Sequence, residues 1–128
     1  MILHLYTEKI GMKDFDKFSD EKLSILLFEG DAGAFEEIFN RYWLKLYGAA
    51  LKRVKSREAA EEIIQDLFTL LWAKRESIQI HKSLAAYLFT SVRYMVFNHI
   101  QKEIVRENYK DSFQAAHVFC DNSTEETV

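Results

Sequence analysis

Residues 56–72 read SREAAEEIIQDLFTLLW, and the spacing of their apolar members decides the fold class. Ala60, Ile63, Ile64, Leu67, Phe68, Leu71 and Trp72 recur at the intervals of three and four that bring side chains to one face of a helix. Glu61, Glu62, Gln65, Asp66 and Thr69 fall on the other face. Ser56 stands where an N-cap belongs, its hydroxyl able to accept from a backbone N–H of the first turn. The pattern therefore predicts an amphipathic helix with one wall to bury.

The flanking segments repeat this logic. Upstream, Asp31 is the expected cap of a helix in which Phe35, Ile38, Phe39, Tyr42 and Leu46 form an apolar stripe, continuing to about Val54. Before it, DEKLSILLFE (residues 20–29) predicts a short helix capped by Asp20, carrying Leu23, Leu26 and Leu27 inward and ended by Gly30. Downstream, AKRESIQIHK (residues 73–82) loses the periodicity and reads as a loop. Ser83 restarts helix, and from Leu84 to about Tyr109 the chain is apolar and aromatic on more than one face. Such a helix is either largely buried or offers its aromatics to a partner. Beyond Asp111 the pattern weakens, and the closing DNSTEETV is acidic and polar, as a linker or frayed end would be.

Composition agrees. There is no proline and there are four glycines, so the strongest helix breakers are scarce, while 48% apolar and 14% aromatic residues supply a core. The expected fold is all-α: a compact three-helix bundle with a short preceding helix and a polar C-terminal tail. Residues 1–19 are expected to form an N-terminal extension, 20–110 the helical domain and 111–128 an acidic tail. Residues 1–6 are too short for a secretory apolar region and lead into Glu8 and Lys9, and no segment is apolar enough to span a membrane. Cys120 has no second cysteine to pair with, and His4, His81, His99 and His117 show no metal-ligand spacing, His117 and Cys120 lacking two further ligands. A cytoplasmic protein with neither metal nor cofactor is expected.

The net charge of −3 conceals an asymmetry. Residues 1–40 hold 4 Lys and Arg against 9 Asp and Glu, residues 41–110 hold 13 against 7, and residues 111–128 hold none against 4. The middle is basic, and a basic stripe attracts phosphates whatever the overall isoelectric point.

Three clusters stand out. Glu62 and Asp66, four apart, share one helical surface with Glu61 and Gln65. A solvated face is the plainer reading and a basic partner the sharper one; catalysis or metal binding by these carboxylates lacks the accompanying E-x-x-H pattern. Lys74, Arg75 and Lys82 beside the loop, with Tyr87, Phe89, Arg93, Tyr94 and Phe97 beyond it, interleave cations with rings. Core packing explains many such rings, but the combination also suits a single nucleic-acid strand, whose bases stack while its phosphates are neutralised. Arg41, Lys45, Lys52, Arg53, Lys55 and Arg57 form a third basic set, part of which merely complements a helix dipole.

Taken together, GDAGAFEEIFNRYWLKLYGAALKRV, REAAEEIIQDLFTLLWAKRESI and KSLAAYLFTSVRYMVFNHIQKE resemble, in order and spacing, region 2 of bacterial RNA polymerase sigma factors of the extracytoplasmic-function group, closest to forms common in Bacteroidetes. The likeness covers about residues 20–105. It implies that residues 60–68 dock on the clamp-helix coiled coil of the polymerase's largest subunit, with Glu61, Glu62, Gln65 and Asp66 as the contact. It also implies that residues 73–87 and the last helix hold the non-template strand of the promoter's minus-ten element. Lys74, Arg75, Lys82, Ser83, Tyr87, Arg93, Tyr94 and Asn98 are the expected DNA contacts.

Tyr94 stands where the family usually has Asn, and His99 and Gln101 replace positions often basic, so a weaker phosphate grip is expected. A complete member also carries region 4, a helix-turn-helix domain, and this chain stops within what resembles the acidic linker; region 4 is absent from the expected architecture. The function implied is promoter recognition and melting in transcription initiation, without catalysis. The alternative is a shortened sigma-like protein that occupies core polymerase or an anti-sigma factor without initiating.

Overall fold

The structure, a computed structural model, describes residues 14–80 and 82–127, with side chains described as far as Phe113. Most of the expected N-terminal extension, His81, and the side chains of His117, Cys120 and the closing acidic residues lie outside the described residues. A 3-10 turn at Phe15–Lys17 precedes four helices: α1 (Asp20–Phe28), α2 (Ala32–Val54), α3 (Arg57–Ala73) and α4 (Leu84–Thr127). The protein is all-helical among its described residues.

Three of the expected caps act as such. Asp31 Oδ1 accepts from the backbone N–H of Gly33 at 2.9 Å and of Ala34 at 3.2 Å. Ser56 Oγ accepts from Ala59 at 3.2 Å, and Ser83 Oγ from Ala86 at 3.0 Å. At α1 the cap is Ser19, whose hydroxyl accepts from Lys22 at 3.1 Å, and not Asp20. Asp20 is freed for a tertiary task. Its carboxylate receives Arg41 at 3.0 Å and the Tyr42 hydroxyl, tying α1 to α2. Arg41 also pairs with Glu37 at 2.7 Å and donates to the carbonyls of Phe15, Asp16 and Phe18. One planar guanidinium thus gathers three carbonyls of the 3-10 turn, of which that of Phe15 also accepts from the Phe18 N–H, a fan of donors that an ammonium does not offer.

The chain divides into two units, one ending at Val96 and the other starting at Phe97. In the first, Leu23, Leu27, Ile38, Leu46, Ala50, Ala60, Leu67, Leu71, Leu88 and Val96 are buried, the inward positions of all four helices. Every residue assigned to the inner face of α3 is buried except Trp72, which is half-buried, and Glu61, Glu62, Gln65, Asp66 and Thr69 are all exposed. α4 joins this core through Leu84, Leu88, Val92 and Val96, one residue per turn.

The second unit corrects an expectation. The last helix does not end near Tyr109; its backbone remains helical to Thr127, through the polar closing segment. The buried face ends earlier, at Val96, and the backbone continues in helix beyond it, so neither burial nor apolar pattern sets the helix end. No proline occurs and no glycine follows Gly48, so nothing local terminates the helix. Phe97, Val105, Tyr109 and Phe113 are exposed there.

Candidate nucleic-acid interface

α3 offers two working flanks because its charged face is continuous. Glu61, Glu62, Gln65 and Asp66 all reach solvent, and among the described residues none of the three carboxylates has an ion pair. Repulsion between carboxylates four residues apart is left uncompensated until a cationic surface covers it.

Around the helix, Leu67, Leu70 and Leu71 form the floor of an open groove of about 650 Å³. The loop closes one side with Lys74, Ile78, Gln79 and Lys82. The first turns of α4 close the other with Ser83, Ala86, Tyr87, Thr90, Ser91, Tyr94 and Met95. Apolar floor, cationic rim and two phenols come together in one concavity. Lys74, Lys82 and Tyr94 are exposed, Tyr94 by 67%, and Tyr87 is half-buried, its ring forming part of the wall.

Backbone geometry holds this rim in place. Lys74 caps α3, and its carbonyl accepts from the N–H groups of Ser77 at 2.9 Å and Ile78 at 3.1 Å, folding the loop back over the leucines. Ser91 Oγ donates to the Tyr87 carbonyl at 2.8 Å. Ser83, as the cap of α4, puts the positive end of a helix dipole at the groove, where phosphate is favoured.

Of the eight expected DNA contacts, Lys74, Lys82, Ser83, Tyr87 and Tyr94 line this groove. Arg93 is exposed but lies outside it, and Asn98 belongs to the second unit. Arg75 is drawn away. Its guanidinium carbon sits 4.2 Å from the centre of the Trp72 ring, Nη1 donates to the Trp72 carbonyl at 2.8 Å, and Nε is buried without a hydrogen-bond partner. The turn at Gly30, whose φ of +88° suits glycine, passes close enough that a Cβ there would lie 3.5 Å from Nε. Arg75 packs on Trp72 beside the α1–α2 turn and is not among the residues that line the groove.

Gln79 falls within the residues 73–87 expected to hold the strand, whereas Leu70, Thr90, Ser91 and Met95 were not singled out in the sequence reading. Leu70 continues the apolar stripe at its edge, three residues from Leu67 and four from Asp66, and only the structure shows it 45% exposed. Among the described residues, no group of three His, Cys, Asp or Glu side chains is placed to hold a metal ion. No helix among them is long and apolar enough to cross a membrane.

The described domain is all-helical, with an exposed acidic ridge on α3 and a cation-edged, phenol-walled groove between α3 and α4. The sequence matches the family model Sigma-70 region 2 over residues 38–104, just over half of the 128 residues, and the chain belongs to that family. No curated protein and no solved structure matches it. The matched span runs from Ile38 in α2 to Ile104 in α4 and takes in both the ridge and the groove. Membership gives the chain a sigma-factor-like role in binding core RNA polymerase and in opening promoter DNA.

Proposed function

We propose that the chain is the region 2 module of a sigma factor of the extracytoplasmic-function group, of the kind common in Bacteroidetes, acting in the cytoplasm by binding and not by catalysis. Glu61, Glu62, Gln65 and Asp66 dock on the clamp helices of the polymerase's largest subunit. The groove between α3 and α4 receives an unstacked base of the minus-ten element on the non-template strand. Lys74, Lys82 and Ser83 hold its phosphates and Tyr87 and Tyr94 stack on it; Arg93, outside the groove, and Asn98, in the second unit, are further strand contacts that the family likeness implies. An anti-sigma factor that covered either surface would silence the module.

The observation that carries this reading is the convergence of Lys74, Lys82, Tyr87 and Tyr94 on one apolar concavity. Extracting a base from a duplex costs a few kcal/mol. Stacking returns about 1–3 kcal/mol per base, so a walled groove with two phenols is of the right order to offset it, and phosphate contacts add to that. Docking is tested by capture of core RNA polymerase on the immobilised chain. The double charge reversal Glu62→Lys with Asp66→Lys should abolish capture with the thermal midpoint little changed, because both side chains are exposed. Unchanged capture would remove the ridge from the docking surface.

A further inference from the structure

A second opening lies on the other flank of α4. Ala49 and Arg53 of α2, with Phe89, Val92, Arg93 and Val96 of α4, line a cleft of about 280 Å³. Its lining is apolar apart from the two arginines, and it includes no acidic side chain. Both arginines are exposed, and neither has a hydrogen-bond or ion-pair partner among the described residues. Arg41, on the same helix as Arg53, shows the contrast, being occupied by two carboxylates and three carbonyls. A position near the C-terminal end of α2 accounts for a cation there through the helix dipole. It does not account for that cation sharing one apolar mouth with a second unpaired cation, an arrangement that is repulsive until an anion comes between them.

The cleft and the groove share no lining residue, but both border α4, and consecutive residues of that helix alternate between them. At 3.6 residues per turn, Thr90 lies roughly 60° round α4 from Tyr87, and Arg93 roughly 120°. Thr90 is an exposed member of the groove lining and Arg93 a member of the cleft. On a helix about 10–12 Å across, that arc is roughly 11 Å, and with about 9 Å of rise over six residues the path is about 14 Å, the reach of about four nucleotides at about 3.4 Å each along a strand. We infer that the Arg53–Arg93 cleft is a second subsite for the same single strand, a phosphodiester lying between the two guanidiniums and the neighbouring base against Phe89. The inference rests on the reading of the groove as a strand site and adds to it Arg53, from a helix otherwise given to core packing. An acidic peptide would satisfy the same guanidiniums, but the passage over Thr90 from a groove already suited to nucleic acid favours the strand.

The test is fluorescence anisotropy of the full chain with single-stranded DNA from about four to about sixteen nucleotides, a range that groove-type sites span. The parent chain should gain affinity in a step once the strand is long enough to leave the groove. Arg53→Gln should bind the shortest strand as the parent does, lose the step, and show a log–log salt slope about 0.7 shallower on the long strand, the share of one phosphate. Arg53→Lys should restore the slope, which separates lost charge from lost structure. Arg53→Gln with the parent's length dependence and slope overturns the second subsite while leaving the groove reading intact. A parent chain that binds no strand of any length overturns both. If Arg53→Gln leaves every strand unaffected yet abolishes displacement by a poly-glutamate peptide, the cleft is a peptide site.

Discussion

At the N-terminal part of the first unit, Asp20 ties α1 to α2 because its carboxylate is shared by Arg41 and by the Tyr42 hydroxyl. Burial, then the hydrogen bond to Asp20, pushes the Tyr42 phenol up from 10.0 to about 12. The sign follows from proton linkage: between these values the folded chain keeps a proton that the unfolded chain has released. The stability Tyr42 supplies is therefore complete below about pH 10 and declines as pH rises toward 12. Tyr42→Phe should be less stable than the parent at neutral pH, the gap narrowing across that window in urea unfolding series. The tyrosinate absorbance that differs between the two proteins should appear near pH 12. A difference signal titrating near pH 10 would show that the phenol is not held by Asp20.

At the scale of elements, the turn between α2 and α3 contains a local cost. Lys55 ends α2 in the left-handed region, with φ of 56°, where a helix usually places glycine or asparagine. That conformation costs a residue with a side chain about 1–2 kcal/mol, part of which glycine would return to the unfolded state as entropy. Lys55→Gly should accordingly stabilise the chain by roughly 0.5–1 kcal/mol, read as a higher midpoint in urea with an unchanged slope. The elements themselves were legible wherever local chemistry alone forms them: the α3 stripe, the caps at Asp31, Ser56 and Ser83, and the stop at Gly30 all follow from short-range pattern. Asp20 was misassigned because Ser19 and Asp20 are both good caps and only the approach of Arg41 and Tyr42 distinguishes them. The groove was half legible. Its cations and phenols interrupt the helical pattern, but Leu67 and Leu71 look like any core leucine, and Arg75 looks like any loop cation until the Gly30 turn packs beside it.

For the whole molecule the question is whether a chain of net charge −3 can hold a polyanion. It can if binding depends on the local field and not on the total, because exposed charges more than about 8–10 Å from the strand are largely screened at physiological salt. The acidic ridge of α3 then acts mainly on a partner other than DNA, while Lys74 and Lys82 at the groove and Arg53 and Arg93 at the cleft set the affinity. Each cation that neutralises a phosphate of a single strand contributes about 0.7 to the slope of log affinity against log salt. Three or four contacts predict a slope of roughly −2 to −3 for the parent chain with long single-stranded DNA. Lys82→Gln should bring the slope about 0.7 nearer zero, with no change in thermal midpoint because Lys82 is exposed and sits outside the core. Glu62→Gln, on the opposite flank of α3, should leave the slope where it was. If Glu62→Gln changed the slope as much as Lys82→Gln, the field that governs DNA binding would be that of the whole chain, and the separation of an acidic docking surface from a cationic strand surface would fail.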